Sequence, residues 1–254
     1  MIHFIKAGII AALIALPTLA VADEFMVVTN IVPPIKEVQN GKLTGITGNV
    51  LIEVMERSGH TLNPKVKITP ISQALKIIES TSGTIYPGLA LCPQREQNYK
   101  WVGPVYSIHS GIIAKKSRAL NLPCLDAAKD LTIASVIDSA PEQRFLDTGI
   151  PKKQLIRFKT SREAINALVE GRADGLLMAV TPTYHMMREG NINPNDYETV
   201  LLLDTMKLYF AFNPDTDTET IQEIQQALND LKKTDDCGNS DYLNIVSQYY
   251  GTEN

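Results

Sequence analysis

The chain has 254 residues, 44% of them apolar, and a formal charge of −4 from 24 basic and 28 acidic residues. That balance, spread without any basic block, argues against a nucleic-acid partner. The length suits two lobes, and the apolar content an ordinary core.

Residues 1–22 read as a cleavable secretory signal. Lys6 supplies a positive start, residues 7–16 an apolar stretch, and Ala20-Val21-Ala22 a small-x-small cleavage site before Asp23. The stretch falls well short of the roughly 20 apolar residues a membrane span needs, and no later segment is longer. The mature chain is therefore expected to be soluble and periplasmic, and the absence of a cysteine just after the cleavage site argues against a lipid anchor.

Strand and helix signals then alternate. Residues 25–29 form a β-rich run, followed by Pro33-Pro34 and a Gly-containing loop; residues 50–57 have helical spacing that stops at Gly59. Residues 66–69 read as a strand, and 71–79 as a helix with Ile71, Leu75 and Ile78 on one face. The apolar run Leu89-Ala90-Leu91, bounded by Pro87-Gly88 and Pro93, reads as a buried strand ending in a tight turn, which puts Arg95 at a strand end. Arg95 has two readings: a fork for an anionic group, or a solvated arginine paired with Glu96 or another acid.

After an extended run at 110–116 the alternation resumes, with strands at 131–136, 154–158 and 175–180 and helices at 140–146 and 161–170. A second extended run at 207–214 precedes a helix at 218–233, with Ile221, Ile224, Leu228 and Leu231 inward, and a shorter one at 242–250. Such alternation implies βαβ units and a largely parallel sheet covered on both faces. The two extended runs suggest crossings, with residues 23–115 and 206–254 forming lobe one and 116–205 lobe two.

Three cysteines in an oxidising compartment allow at most one internal disulfide. Cys124 and Cys237 stand in polar, turn-like surroundings and are the expected pair, leaving Cys92 as a buried thiol. No second ligand lies near any of them at zinc-site spacing. Beyond the signal only His60, His109 and His185 remain, and neither a Gly-x-Ser-x-Gly nor a His-Glu-x-x-His motif occurs, which weakens hydrolase and metalloenzyme readings. No cofactor or metal is expected.

Pro33-Pro34 ahead of Asn40-Gly41-Lys42-Leu43-Thr44-Gly45, then Cys92-Pro93-Gln94-Arg95-Glu96, Gly103-Pro104-Val105-Tyr106, Ala167-Leu168-Val169-Glu170-Gly171-Arg172-Ala173-Asp174-Gly175 and the final 242–251 segment occur in an order that resembles the family 3 periplasmic solute-binding proteins. The resemblance covers essentially the whole mature chain. It implies an α/β, two-lobed type II periplasmic binding protein fold, each lobe a mixed sheet flanked by helices, closing on a small polar solute. It also implies a membrane partner, either the permease of an ABC importer or a sensor protein; a monomer is expected.

Carried over position by position, the resemblance makes Arg95 the clamp for a ligand carboxylate, with Gly88 and Ala90 as small contact positions. Cys92 stands where the family usually has a threonine. Asp138 and Ser139 open the lobe-two helix where the family has a hydroxyl-rich turn, and Ser139 with Glu142 has capping-box spacing. Ala179 replaces the aspartate that holds a ligand ammonium in amino-acid binders, and Val32 stands where an aromatic platform is usual. An ordinary amino acid is then a poor fit unless Asp138 takes over the ammonium. A carboxylate-bearing solute fits better, with an aromatic body suggested by Tyr86 and Tyr184. A few members of the fold are cyclohexadienyl dehydratases, for which Asp138 or Glu142 would have to supply the acid.

Overall fold

Phe25, Val27 and Val28 bury strand β1 (Glu24–Thr29) in the sheet, and in the computed structural model, which describes residues 24–249, strands and helices alternate from there. The first half holds β2 (Glu37–Gln39), β3 (Lys42–Thr44), α1 (Ile46–Arg57), β4 (Thr61–Leu62), β5 (Lys67–Ile68), α2 (Ile71–Ser80), β6 (Thr84–Ala90) and β7 (Lys100–Lys115). Then come β8 (Ile133–Val136), α3 (Ala140–Asp147), β9 (Leu155–Phe158), α4 (Ser161–Val169), β10 (Gly175–Ala179), α5 (Val180–Glu189), β11 (Tyr197–Phe212), α6 (Thr218–Lys232) and α7 (Asp241–Ser247). The expected signal at 1–22 and Tyr250, expected in the last helix, lie outside the described residues.

The main sheet runs β4-β1-β6-β11-β7-β10-β8-β9. It is mixed: β1 pairs parallel with β4, β5 and β6, and β8 with β9 and β10, whereas β7 and β11 pair antiparallel with each other and with their outer neighbours. These two long strands are the crossings. They pair from Tyr197↔Lys115 to Phe212↔Lys100, with register shifts between Thr199 and Leu201, Leu202 and Thr205, and Leu208 and Phe210. At one end β11 pairs with β6, at the other β7 pairs with β10. The extended runs expected at 110–116 and 207–214 are therefore the two ends of a longer ribbon. One apolar cluster joins β1, β6, β7 and β11 to α1 and α6, and another joins β8, β10 and α3.

Pro87 and Gly88 lie inside β6 rather than bounding it. Opposite them the register with β11 slips between Tyr209 and Phe210, so Leu89 pairs with Tyr209 and Pro87 with Phe210 while Gly88 is left over. A bulge tolerates a proline without an N–H and a residue in the left-handed region. Gly88 has φ +82°, and an added Cβ would come within 2.8 Å of Thr47 Oγ1.

Helix α1 starts at Ile46, earlier than the apolar spacing indicates, with Gly45 at its cap and no capping side chain of its own. Main-chain carbonyls receive its first N–H groups, Ile46 N donating to Pro34 O at 2.9 Å and Thr47 N to Ile35 O at 2.8 Å, and Tyr249 adds to them. Its hydroxyl accepts from Gly45 N at 3.1 Å and from Asn49 Nδ2 at 2.7 Å. At the end of β10, Val180 leaves the expected strand to begin α5, where Pro182 sits harmlessly in the first turn. Helix α4 carries a full capping box between Thr160 and Glu163.

The expected Cys124–Cys237 bridge is not formed, and all three cysteines are free. Cys124 is exposed ahead of β8, whereas Cys237 is exposed in the turn between α6 and α7. Those helices pack on α1, and α6 also on β7, so each thiol belongs to a different half of the molecule. Cys92 is half-buried rather than a core thiol. Among the described residues, no helix is long and apolar enough to cross a membrane.

Candidate functional site

The ends of β1, β6, β8 and β10 converge on a cavity of about 100 Å³ between the two halves. From one side come Asn30, Lys36, Tyr86, Gly88, Ala90 and Arg95; from the other come Val136, Ser139, Ser161, Met178 and Ala179. Arg95, Gly88, Ala90, Ser139 and Ala179, all expected at the site, are thus brought together. Cys92 is not. It lines an adjoining depression with Pro93, Arg144 and Asp147.

Arg95 closes a turn in which its N–H donates to Cys92 O at 2.9 Å. The residue is only 5% exposed, which rules out the solvated reading, and it makes no ion pair with Glu96, whose carbonyl instead accepts from Trp101 Nε1. Nη1 reaches Ala90 O at 3.5 Å, and Nη2 donates to the main-chain carbonyl of Asp138 on the far side of the cavity. A guanidinium has five N–H donors, so three remain without an acceptor among the described residues. A buried arginine whose partners are carbonyls alone keeps its positive charge for an incoming anion.

Asp138 contributes its carbonyl and not its carboxylate. It takes φ +59°, and its side chain is turned to Arg157, 3.6 Å away, outside the cavity lining. It does not replace the missing ammonium partner. Glu142 is fully buried beneath this turn and holds it in place. Its carboxylate accepts from Asp138 N at 3.0 Å, from Ser135 Oγ at 2.5 Å, and from Arg157 Nη2 and Nε at 2.6 and 3.1 Å. The capping box expected for Ser139 and Glu142 is half present. Ser139 Oγ accepts from Glu142 N at 3.4 Å, but the glutamate reaches one residue further back than the motif prescribes.

Lys36 is the cavity residue that sequence reasoning passed over. It is 5% exposed, its Nζ donates to Gly88 O at 3.0 Å, and it sits 3.9 Å from the centroid of the Tyr86 ring. Burial, and after it the positive charge of Arg95, hold its ammonium well below a lysine's ordinary pKa. Tyr86 is buried, with its phenol pushed up by burial and its hydroxyl given to Asn30 Oδ1. Tyr184 lies elsewhere, with its hydroxyl 3.4 Å from Thr199 Oγ1 beside a surface depression shared with Lys116 and Arg188. His185 pairs with Glu189 at 3.5 Å. Among the described residues, no group of three His, Cys, Asp or Glu side chains is placed to hold a metal ion.

No protein-family model and no curated protein matches the chain. Solved structures do. A histidine kinase sensor domain with similarity to periplasmic binding proteins superposes with a TM-score of 0.77 at 19% identity, over 89% of this chain and 96% of that one. An arginine-, lysine-, histidine-binding protein from Geobacillus stearothermophilus gives 0.69 at 18% identity, over 91% and 96%. An ancestral amino acid-binding protein, a precursor of cyclohexadienyl dehydratase, gives 0.71 at 18% identity, over 90% and 95%. The two-lobed chain, its one large mixed sheet flanked by helices and carried from half to half by two long strands, has the type II periplasmic binding protein fold.

Proposed function

We propose that this protein is a divergent periplasmic solute-binding protein of family 3 that closes its lobes on a small carboxylate-bearing solute and presents it to a membrane importer. The observation that carries the proposal is Arg95, buried at the cavity with carbonyl partners only. The solute's carboxylate takes up the unspent N–H groups in a two-pronged contact, and the carbonyl of Asp138 links the same guanidinium to the opposite lobe. Ligand contacts are assigned to Arg95, Gly88, Ala90, Ser139 and Ala179, with Cys92 and Asp138 bordering the site. Lobe one comprises residues 23–115 and 206–254 and lobe two 116–205. The pairing of Ser110 to Ile113 with β10 favours drawing the first boundary back to about His109, opposite Thr205.

A thermal-shift panel of amino acids, organic acids, aromatic acids and polyamines tests the reading. A solute at 100 times its dissociation constant adds about 2.7 kcal/mol of stability. Carboxylates are expected to raise the melting temperature and polyamines to leave it unchanged; a flat response across the panel overturns the proposal.

A second reading, a ligand-sensing subunit for a membrane signalling protein, is favoured by the likeness to a kinase sensor domain. It keeps the same site and changes only the partner, so co-purification with an importer or with a sensor separates the two. A dehydratase-like activity has less support, because Glu142 is already held by three partners and Asp138 faces Arg157.

A further inference from the structure

Two cationic side chains line the cavity, and no aspartate or glutamate does. Lys36 spends one of an ammonium's three N–H donors on Gly88 O, and neither it nor Arg95 has a carboxylate within ion-pair distance among the described residues. A buried ammonium without a counter-charge is costly and is relieved by losing its proton or gaining an anion. The remaining wall is mostly apolar, including Val32, Ile35, Ile71, Leu89, Val136 and Met178, with Asn30, Tyr86, Ser139 and Ser161 as its neutral polar groups.

Building on the binding reading above, we infer that the solute is a small organic acid with two anionic groups and no amine, one group seated on the Arg95 fork and the other on the Lys36 ammonium, with its carbon body against the apolar wall. An amino group would meet the Arg95 charge and the Lys36 amine with no carboxylate to receive it. The cavity, about 100 Å³, is small, and succinate and glutarate are the short two-anion acids that probe it.

Isothermal titration of the wild-type protein and Lys36→Met with matched acids tests the inference: succinate and glutarate, their amino counterparts aspartate and glutamate, and the monocarboxylates butyrate and pentanoate. The wild type is expected to bind the better dicarboxylate at least tenfold more tightly than both its amino counterpart and its monocarboxylate. In Lys36→Met the preference over the monocarboxylate should collapse to about threefold or less, while Arg95-dependent monocarboxylate binding survives. An amino acid that binds as tightly as its amine-free partner overturns the inference and leaves the binding reading standing. So does a monocarboxylate that equals its dicarboxylate, or a mutant that keeps the wild-type preference. If none of the six acids binds, the inference falls, and the binding reading is decided by the wider thermal-shift panel. The wild-type comparisons decide the question even if the variant fails to fold.

Discussion

Gln94 Nε2, in the turn after β6, donates to both carboxylate oxygens of Asp147 at the end of α3, at 2.8 and 2.7 Å. The contact spans the mouth of the cleft one residue from Arg95. It is exposed, so water competes for both partners, and its worth is at the low end for a hydrogen bond, about 0.5–1.5 kcal/mol. Gln94→Ala should weaken solute binding by roughly twofold to tenfold through faster release, with the melting temperature of the empty protein nearly unchanged. Stopped-flow release and a thermal melt on the same variant check this.

Arg95→Ala removes the fork and leaves the carboxylate desolvated without a partner, which should cost about 2–5 kcal/mol of binding. Arg95→Lys should recover only part, because a point charge does not reproduce a planar two-pronged contact. If Arg95 merely fastens the turn to Asp138, thermal stability should fall instead and affinity should hold. Titration and melting of one mutant separate these roles.

Glu142 anchors the turn that carries the Asp138 carbonyl. Glu142→Ala leaves Ser135 Oγ and Asp138 N without their acceptor and Arg157 without its main partner. Breaking a buried pair costs about 3–5 kcal/mol, and the partial exposure of Arg157 puts the expectation near 3 kcal/mol. Urea unfolding should show it as a lower midpoint at similar slope. Glu142→Gln, which keeps the shape and two acceptor–donor contacts, should lose less. A variant as stable as the wild type would remove Glu142 from the support of the turn.

Alkylation of the folded protein followed by mass spectrometry should find three free thiols, with Cys124 and Cys237 labelling faster than the half-buried Cys92. Cys124→Ser should leave the melting temperature unchanged. A bridge closing so long a loop would instead contribute on the order of 4 kcal/mol, and its loss would be plain in the melt.

Much of the βα alternation is legible in the sequence because each signal is local. Ile71, Leu75 and Ile78 declare one helix face without reference to the rest of the chain. What failed to read were features set by distant partners. Pro87-Gly88 looks like a turn, yet the slip in β11 absorbs it as a bulge. The start of α1 is held by the carbonyls of Pro34 and Ile35 and by a tyrosine hydroxyl about 200 residues away in sequence. Lys36 stands next to Glu37 in a polar-looking loop and reads as a solvated residue; only the approach of β6 buries it. Arg95 was visible through its resemblance to a known clamp, but the same resemblance does not say that the Asp138 carboxylate turns outward, since that follows from a left-handed backbone at one residue. The Thr160–Glu163 capping box was present as a local pattern and went unread.

The pairing of β7 with β11 from one half to the other, despite its three register shifts, bears on how the molecule comes apart. A pair of slack linkers would let one half melt while the other persisted. Here each half is built on the same two strands, so losing β10 leaves one end of the β7–β11 pair two-stranded and losing β6 does the same at the other end, and a two-stranded pair is marginal in water. Heating should therefore give a single calorimetric peak whose enthalpy agrees with its van't Hoff value, and amide exchange in the slowest residues of both halves should report the same global opening.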